Sequence, residues 1–105
     1  MTAEDSGAPV RIDWKLNARK IYDLARSSPA YCFVGARKVI VAELGFSHEP
    51  VEGRPGEIVR VTPLGVEVAT GAGLVVLRKV CAEGSTESAA TVFERDGIGV
   101  GAVLT

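Results

Sequence analysis

Apolar and polar residues between positions 55 and 69 follow a pattern that predicts a β-hairpin. The apolar residues 58, 59 and 61 lead into residues 62–65 (Thr-Pro-Leu-Gly), which suit a type I turn closed by a glycine bulge. Val66 and Val68 then alternate with Glu67, so this strand is expected to bury one face and expose the other. Short strands joined by such turns are typical of small β-barrels.

A second glycine-rich turn at residues 70–73 follows the hairpin, and residues 74–77 (Leu-Val-Val-Leu) then form a nearly continuous apolar run. Such a run predicts a strand that is buried on both faces. With these included, strands are expected near residues 30–34, 37–46, 57–62, 65–69 and 73–81, and loops are expected at 47–54 and 82–87. Residues 98–104 are expected to form a last strand or an extended tail.

Two short helices complete the predicted fold. Asn17 is a suitable N-cap for a helix over residues 18–27, and Pro29 ends it. Ser88 caps a second helix over residues 89–96, before a glycine. The fold class is therefore mainly β with two short helices, in a small, partly open Greek-key barrel of the OB type.

Length and composition predict one globular domain. The chain has 105 residues, of which 47% are hydrophobic and 24% charged. We expect residues 1–10, which are small and acidic, to be a disordered tail or linker stub, and residues 11–105 to form the domain. No apolar run approaches the ~20 residues that span a bilayer, so no membrane partner is expected.

The charge is unevenly distributed although the net charge is only −1. Residues 11–38 contain seven basic and two acidic residues, which indicates a candidate anion-binding face in this third of the chain. A solvated helix face beside a strand edge is the alternative interpretation. A lysine in the first turn of the predicted helix opposes the helix dipole, which favours a use for its charge. The candidate residues are Arg19, Lys20, Arg26, Arg37 and Lys38.

Other residues with chemical potential are isolated in the sequence. Cys32 and Cys81 lack the CxxC spacing of a metal site and are expected to be buried, reduced thiols, which fits a cytoplasmic protein. Trp14 is expected to anchor its segment on the barrel, with base stacking as the alternative. His48 lies in a polar loop without a sequence partner. The sequence therefore predicts neither a metal site nor a bound cofactor.

Four stretches, in register along the chain, resemble the C-terminal domain of the methionyl-tRNA formyltransferase family. Residues 12–14 are similar to the Ile-Asp-Trp opening that precedes the first helix of the family. Residues 55–59 resemble its Pro-Gly-Thr-Val strand, residues 65–71 its Gly-Leu-Val-Val-Ala-Thr-Gly hairpin, and residues 88–93 its Ser-Ala-Ala-Glu-Phe-Leu helix. Residues 29–34 depart from the Pro-Tyr-Pro-Gly-Ala-Phe-Thr segment of the family.

The resemblance implies a non-catalytic accessory domain of a formyltransferase-family enzyme. Such a domain would position the acceptor substrate beside a separate, folate-dependent catalytic domain, which contains the Asn, His and Asp of the active site. No catalytic residue is therefore carried over, and the chain is not expected to be catalytic alone. In the tRNA-specific branch this domain helps to dock tRNA through basic residues, so a weak RNA interaction is a further expectation. The alternative is a stand-alone protein-interaction module of the same fold.

Overall fold

The computed structural model describes residues 9–82 and 84–105. In this part of the chain, two helices and seven strands confirm the prediction of a mainly β protein with two short helices. A tail or linker stub was predicted over residues 1–10. Residues 1–8 of it lie outside the described residues, and Val10 belongs to a strand. In chain order the elements are β1 Val10–Arg11, α1 Ala18–Ser27, β2 Ala30–Val34, β3 Arg37–Ser47, β4 Ile58–Thr62, β5 Gly65–Ala69, β6 Leu74–Ala82, β7 Ser85–Ser88 and α2 Ala89–Arg95.

Helix α1 has the bounds that its capping residues predict. The Asn17 side-chain oxygen accepts a hydrogen bond of 2.8 Å from the Lys20 backbone amide. At the other end, the Ser28 amide donates to the Leu24 carbonyl, and Pro29 prevents a further turn. Ile21 is buried, while the basic residues of the helix remain exposed. The helix thus lies on the sheet with its cations directed toward solvent.

The sheet has the strand order β1-β2-β3-β6-β5-β4, and among the described strand pairs the short β1–β2 pair is parallel while the others are antiparallel. Strand β6 lies at the centre of the sheet: β3 pairs along one edge of β6, while β5 and β7 pair along the other edge. The prediction of a loop over residues 82–87 was therefore wrong in its second half. Residues 85–88 have no apolar periodicity, and they are extended because residues 79–82 of β6 offer them a free edge.

The β4–β5 hairpin confirms the predicted alternation. Val66 and Val68 are fully buried, and Glu67 between them is partly exposed. The turn is tighter than expected, since Thr62 pairs directly with Gly65. The irregularity of the ladder lies between Ile58 and Arg60, so the bulge expected at the turn is found at the start of β4 instead.

The segment after α2 contacts β4, at one end of the strand order, and β2, next to the other end. The Gly101 amide donates to the Ile58 carbonyl at 2.9 Å, next to the outer edge of β4. Thr105 and Phe33 exchange two backbone hydrogen bonds of 2.8 and 3.2 Å at the edge of β2. Residues 101–105 therefore link β4 to β2. Of the segment 98–104, expected to be a strand or an extended tail, residues 100 and 101 form a turn and the residues after them are extended. The OB-type detail of the barrel stays a prediction.

The segment between β1 and α1 is fixed to the sheet by Trp14, as predicted. Its side chain is only 5% exposed. It packs beside Gly56, where a Cβ atom would lie 3.4 Å from the indole ring and 2.7 Å from the Leu104 carbonyl oxygen. The Gly71 amide donates to the carbonyl groups of both Trp14 and Leu16 at 3.0 Å. Close backbone approach at these two glycines thus positions the start of α1.

Candidate functional site

Three of the predicted anion-binding residues lie on α1. The Arg19 guanidinium is 3.6 Å from the Asp23 carboxylate, in an exposed ion pair. Arg26 donates to the Tyr22 hydroxyl at 3.3 Å and lies 5.4 Å from the centre of that ring. The Lys20 ammonium makes no ion pair with any residue in the described part of the chain. Of the three cations on the helix, Lys20 is thus the one that an anion can reach without competition.

The other two predicted residues, Arg37 and Lys38, open β3 and point to opposite sides of the sheet. Arg37 Nε is 3.0 Å from the Asp96 carboxylate at the C-terminus of α2, and both side chains are at least two-thirds buried. Lys38 is exposed, and its ammonium lies 4.3 Å from the centre of the Tyr31 ring. Arg37 therefore ties α2 to the sheet, whereas Lys38 faces outward.

The structure does not bring these five residues into one face. Arg26 and Tyr22 share a depression with residues 41–44, so α1 lies over the middle of β3. Arg37 is four residues earlier in the strand, a separation of about 13 Å along it. The predicted face thus divides into a helical group, formed by Arg19, Lys20 and Arg26, and the separate position of Lys38.

Lys38 belongs instead to a group of cations and aromatic rings on the outward face of β1, β2 and β3. We call this group the β2 cluster; it consists of Arg11, Tyr31, Phe33 and Lys38. The Arg11 guanidinium carbon is 5.0 Å from the centre of the Phe33 ring. The Tyr31 and Phe33 rings meet edge to face with centroids 6.0 Å apart. The cluster is thus a continuous chain of cation, ring, ring and cation.

Sequence reasoning missed three members of this cluster, Arg11, Tyr31 and Phe33. The available signal was the alternation in β2, where buried Ala30 and Cys32 flank an outward aromatic residue. The position of Arg11 beside Phe33 was not predictable, because it depends on the register between β2 and β1, a strand of only two residues.

The cysteines have different surroundings, and the expectation of burial holds fully only for Cys32. Burial raises the pKa of the Cys32 thiol to about 12, so this sulfur remains protonated and unreactive near neutral pH. Cys81 is partly exposed on the outward face, where it pairs with Ile40. Both cysteines are free thiols.

The remaining candidate residues do not form a catalytic group. His48 is exposed, and its ring contacts Phe46 edge to face at 5.3 Å. Within residues 9–82 and 84–105, no three His, Cys, Asp or Glu side chains are grouped so that they could hold a metal ion. No helix in these ranges is long and apolar enough to cross a membrane.

An open groove of about 580 Å³ lies between the β4–β5 hairpin and the segment that follows α2. Its walls are mostly apolar and include Val61, Pro63, Ile98 and Val100. Beside it, the turn residue Leu64 is 82% exposed, and Val100 is 68% exposed. These two exposed apolar side chains mark the groove as a candidate contact surface for another protein.

The fold and these surfaces define a small β domain with a cationic, aromatic outer face on one side and an apolar groove on another. A family model described as "Formyl transferase, C-terminal domain" matches residues 7–96. The chain therefore belongs to the family of formyl transferase C-terminal domains.

Two curated relatives are similar to most of this chain. They are the methionyl-tRNA formyltransferases of Thermus thermophilus and of one particular strain of the same species. Each is 36% identical over 94 residues, which cover 86% of this chain and 30% of the relative. The chain thus spans less than a third of the length of these relatives.

Proposed function

We propose that this domain is the non-catalytic, acceptor-positioning part of a formyltransferase-family enzyme, with tRNA as the class of acceptor. It works beside a separate, folate-dependent catalytic domain in the cytoplasm. The observation that carries the proposal is the family match over residues 7–96, together with relatives that are named for methionyl-tRNA and are about three times as long. The free thiols fit a reducing compartment.

The described side chains support a binding role. The Cys32 thiol has a pKa of about 12, and His48 contacts an aromatic ring, so neither is arranged as a nucleophile or a base. In contrast, Lys20 and Lys38 present exposed ammonium groups in two places on the same third of the chain. Cations that are exposed in this way suit the phosphate backbone of a nucleic acid.

A chimera of two domains tests the proposal. The Thermus thermophilus relative would be truncated before the region that matches this chain, and this chain would be fused in its place. We expect the chimera to have a lower KM for methionyl-tRNA than the truncated relative, at a similar kcat, because a docking domain contributes binding that does not change during the reaction. The matched control is a fusion of the charge-reversed variant Lys20→Glu with Lys38→Glu.

Two results would contradict the proposal. One is formyl transfer by this chain alone, which would make it catalytic. The other is a chimera whose KM for methionyl-tRNA equals that of the truncated relative. In that case the groove beside Leu64 and Val100 favours the second candidate, a stand-alone protein-interaction module. Calorimetric titration with the isolated catalytic domain of the relative then separates the two candidates. No binding favours the stand-alone module, whereas binding that Leu64→Glu with Val100→Glu abolishes and that Val10→Glu, at the other end of the strand order, preserves would retain the accessory domain.

A further inference from the structure

The β2 cluster has a chemical composition that its position in the fold does not require. Tyr31 and Phe33 occupy outward positions of β2, where solvated polar side chains would suffice to complete the sheet. Both rings are instead partly exposed, and each has a cation over it, Lys38 at 4.3 Å and Arg11 at 5.0 Å. Aromatic rings that are kept at the surface beside cations are typical of binding sites for nucleic-acid bases.

The surroundings of the cluster are positively charged. Residues 30–42, which include β2 and the first half of β3, contain no acidic residue. Neither the Arg11 nor the Lys38 side chain forms an ion pair with a described residue. Several cations elsewhere on the sheet have acidic partners, for example Arg60 with Glu67 at 3.5 Å and Arg37 with Asp96 at 3.0 Å. The two cations of the cluster are therefore available to anions.

We infer that the β2 cluster binds a single-stranded segment of RNA, with bases stacked on Tyr31 and Phe33 and phosphates at Arg11 and Lys38. This inference rests on the proposed function. It places the RNA contact at the β2 cluster instead of the helical group formed by Arg19, Lys20 and Arg26. A single strand is the ligand that fits, because the bases of a duplex are stacked on one another and cannot offer their faces to side chains.

The geometry allows two successive bases to contact the cluster. Tyr31 and Phe33 are separated by one residue in a strand, and their ring centroids are 6.0 Å apart. Neighbouring bases of an extended strand can therefore each meet one ring. Lys38 covers Tyr31 through a long, flexible side chain, so its ammonium can move to a phosphate and expose the ring. The exposed cation–π contact that is lost is weaker than the base–aromatic stack that replaces it.

Fluorescence anisotropy with a labelled, unstructured RNA of about eight nucleotides tests the inference, with a duplex of the same length as the comparison. We expect the single strand to bind more tightly than the duplex. Tyr31→Leu with Phe33→Leu should weaken single-strand binding by at least about tenfold while leaving its salt dependence in place, because the phosphate contacts remain. The swap Tyr31→Phe with Phe33→Tyr should retain binding, which separates the role of the rings from that of the fold.

The two cations of the β2 cluster are tested separately, through the salt dependence of RNA binding. Arg11→Gln with Lys38→Gln should reduce the slope of log affinity against log salt by about 1.4, the value for two phosphate contacts to a single strand. The matched control is Tyr22→Leu, which removes the other ring covered by an arginine, on α1. This variant should bind the single strand as tightly as the wild type. Circular dichroism melting of each variant confirms that it is folded.

Three results would overturn the inference: equal affinity for single strand and duplex, unchanged binding by the leucine variant, or tighter binding of a glutamate-rich peptide than of RNA. The last would assign the cluster to an acidic protein partner. None of these results decides the proposed function, because the chimera measures acceptor positioning independently. If the chimera lowers the KM while the leucine variant binds normally, the inference fails and the proposed function stands.

Discussion

Strands β5 and β2 follow the same rule on their inward faces and differ on their outward faces. Each contributes fully buried side chains to one core, Val66 and Val68 from β5 and Cys32 from β2. Outward, β5 presents Glu67, whose charge is balanced by Arg60 at 3.5 Å. Outward, β2 presents two aromatic rings with unbalanced cations. The comparison shows that the core constrains only every second residue, and that the alternate positions are free to carry a binding surface.

The largest effect is expected from a charge placed on the shared inward face. Val68→Asp would bury an unpaired carboxylate beside Ile58 and Val75, its neighbours in the sheet. We expect a loss of several kcal/mol from a total stability of about 5–15 kcal/mol. Urea unfolding followed by circular dichroism measures it. The control Val61→Asp, at a position that is 37% exposed in the same hairpin, should cost much less. Equal losses would show that the two faces do not differ as described.

A smaller but substantial effect is expected at the contact between the turn that joins β5 to β6 and the segment that precedes α1. In Gly71→Ala the new Cβ atom would overlap the Lys15 carbonyl oxygen, a backbone atom that cannot rotate away. We expect a loss of about 2–3 kcal/mol, in the upper range for single substitutions. Gly99→Ala is the matched control, since a Cβ atom there has no neighbour within 4 Å. Similar midpoints for both variants in urea unfolding would contradict the close approach.

A pair of double-mutant cycles compares an ion pair that ties α2 to the sheet with one on the outward side of β5. The ion pair of Arg37 with Asp96 is shorter and more buried than that of Arg60 with Glu67, at 3.0 against 3.5 Å. We expect a coupling of about 1 kcal/mol for the first pair and less than about 0.5 kcal/mol for the second, since exposed pairs contribute little. A larger coupling for the Arg60 pair would remove the distinction between a structural and a solvated cation.

The smallest effect near neutral pH concerns Cys32. Because its pKa is about 12 in the folded protein and 9.0 for an unperturbed thiol, the unfolded state releases its proton first as the pH rises. The contribution of Cys32 to stability is therefore complete below about pH 9 and is lost between about pH 9 and 12. Cys32→Ala should reduce the fall in stability over this range, which urea unfolding at several pH values measures. In the native protein, a thiol reagent should modify Cys81 well before Cys32.

The fold was predictable where a local signal coincided with the tertiary contact. The capping side chain of Asn17 and the ring of Pro29 set the two ends of α1. The alternation around Glu67 reflects the burial of its two neighbours. Strand β7 was not predictable, because its residues, Ser85–Ser88, are polar and become a strand only by pairing with β6. The bulge at Val59 likewise depends on how β4 meets β5, which no local pattern contains.

The candidate site was predictable only in part, for the same reason. The excess of basic residues identified the right third of the chain, and Lys38 is exposed as expected. The sequence could not separate Arg37 from Lys38, because the partner of Arg37 is Asp96, nearly sixty residues later. It also could not place Arg11 over Phe33, since that contact requires the parallel pairing of two strands separated by α1.

The bonds between Phe33 and Thr105 join residues that lie far apart in the chain, and this has a consequence for how the protein folds. While the chain is being synthesised, β2 and β3 can pair early and β1 can cover Ala30 and Tyr31, but the edge of β2 at Phe33 remains uncovered until residues 101–105 leave the ribosome. Exposed strand edges invite pairing with other chains. Folding dominated by such distant contacts is also slow, roughly in the range of milliseconds to seconds. The nascent domain therefore passes through a period in which this short strand edge is open to pairing with other chains.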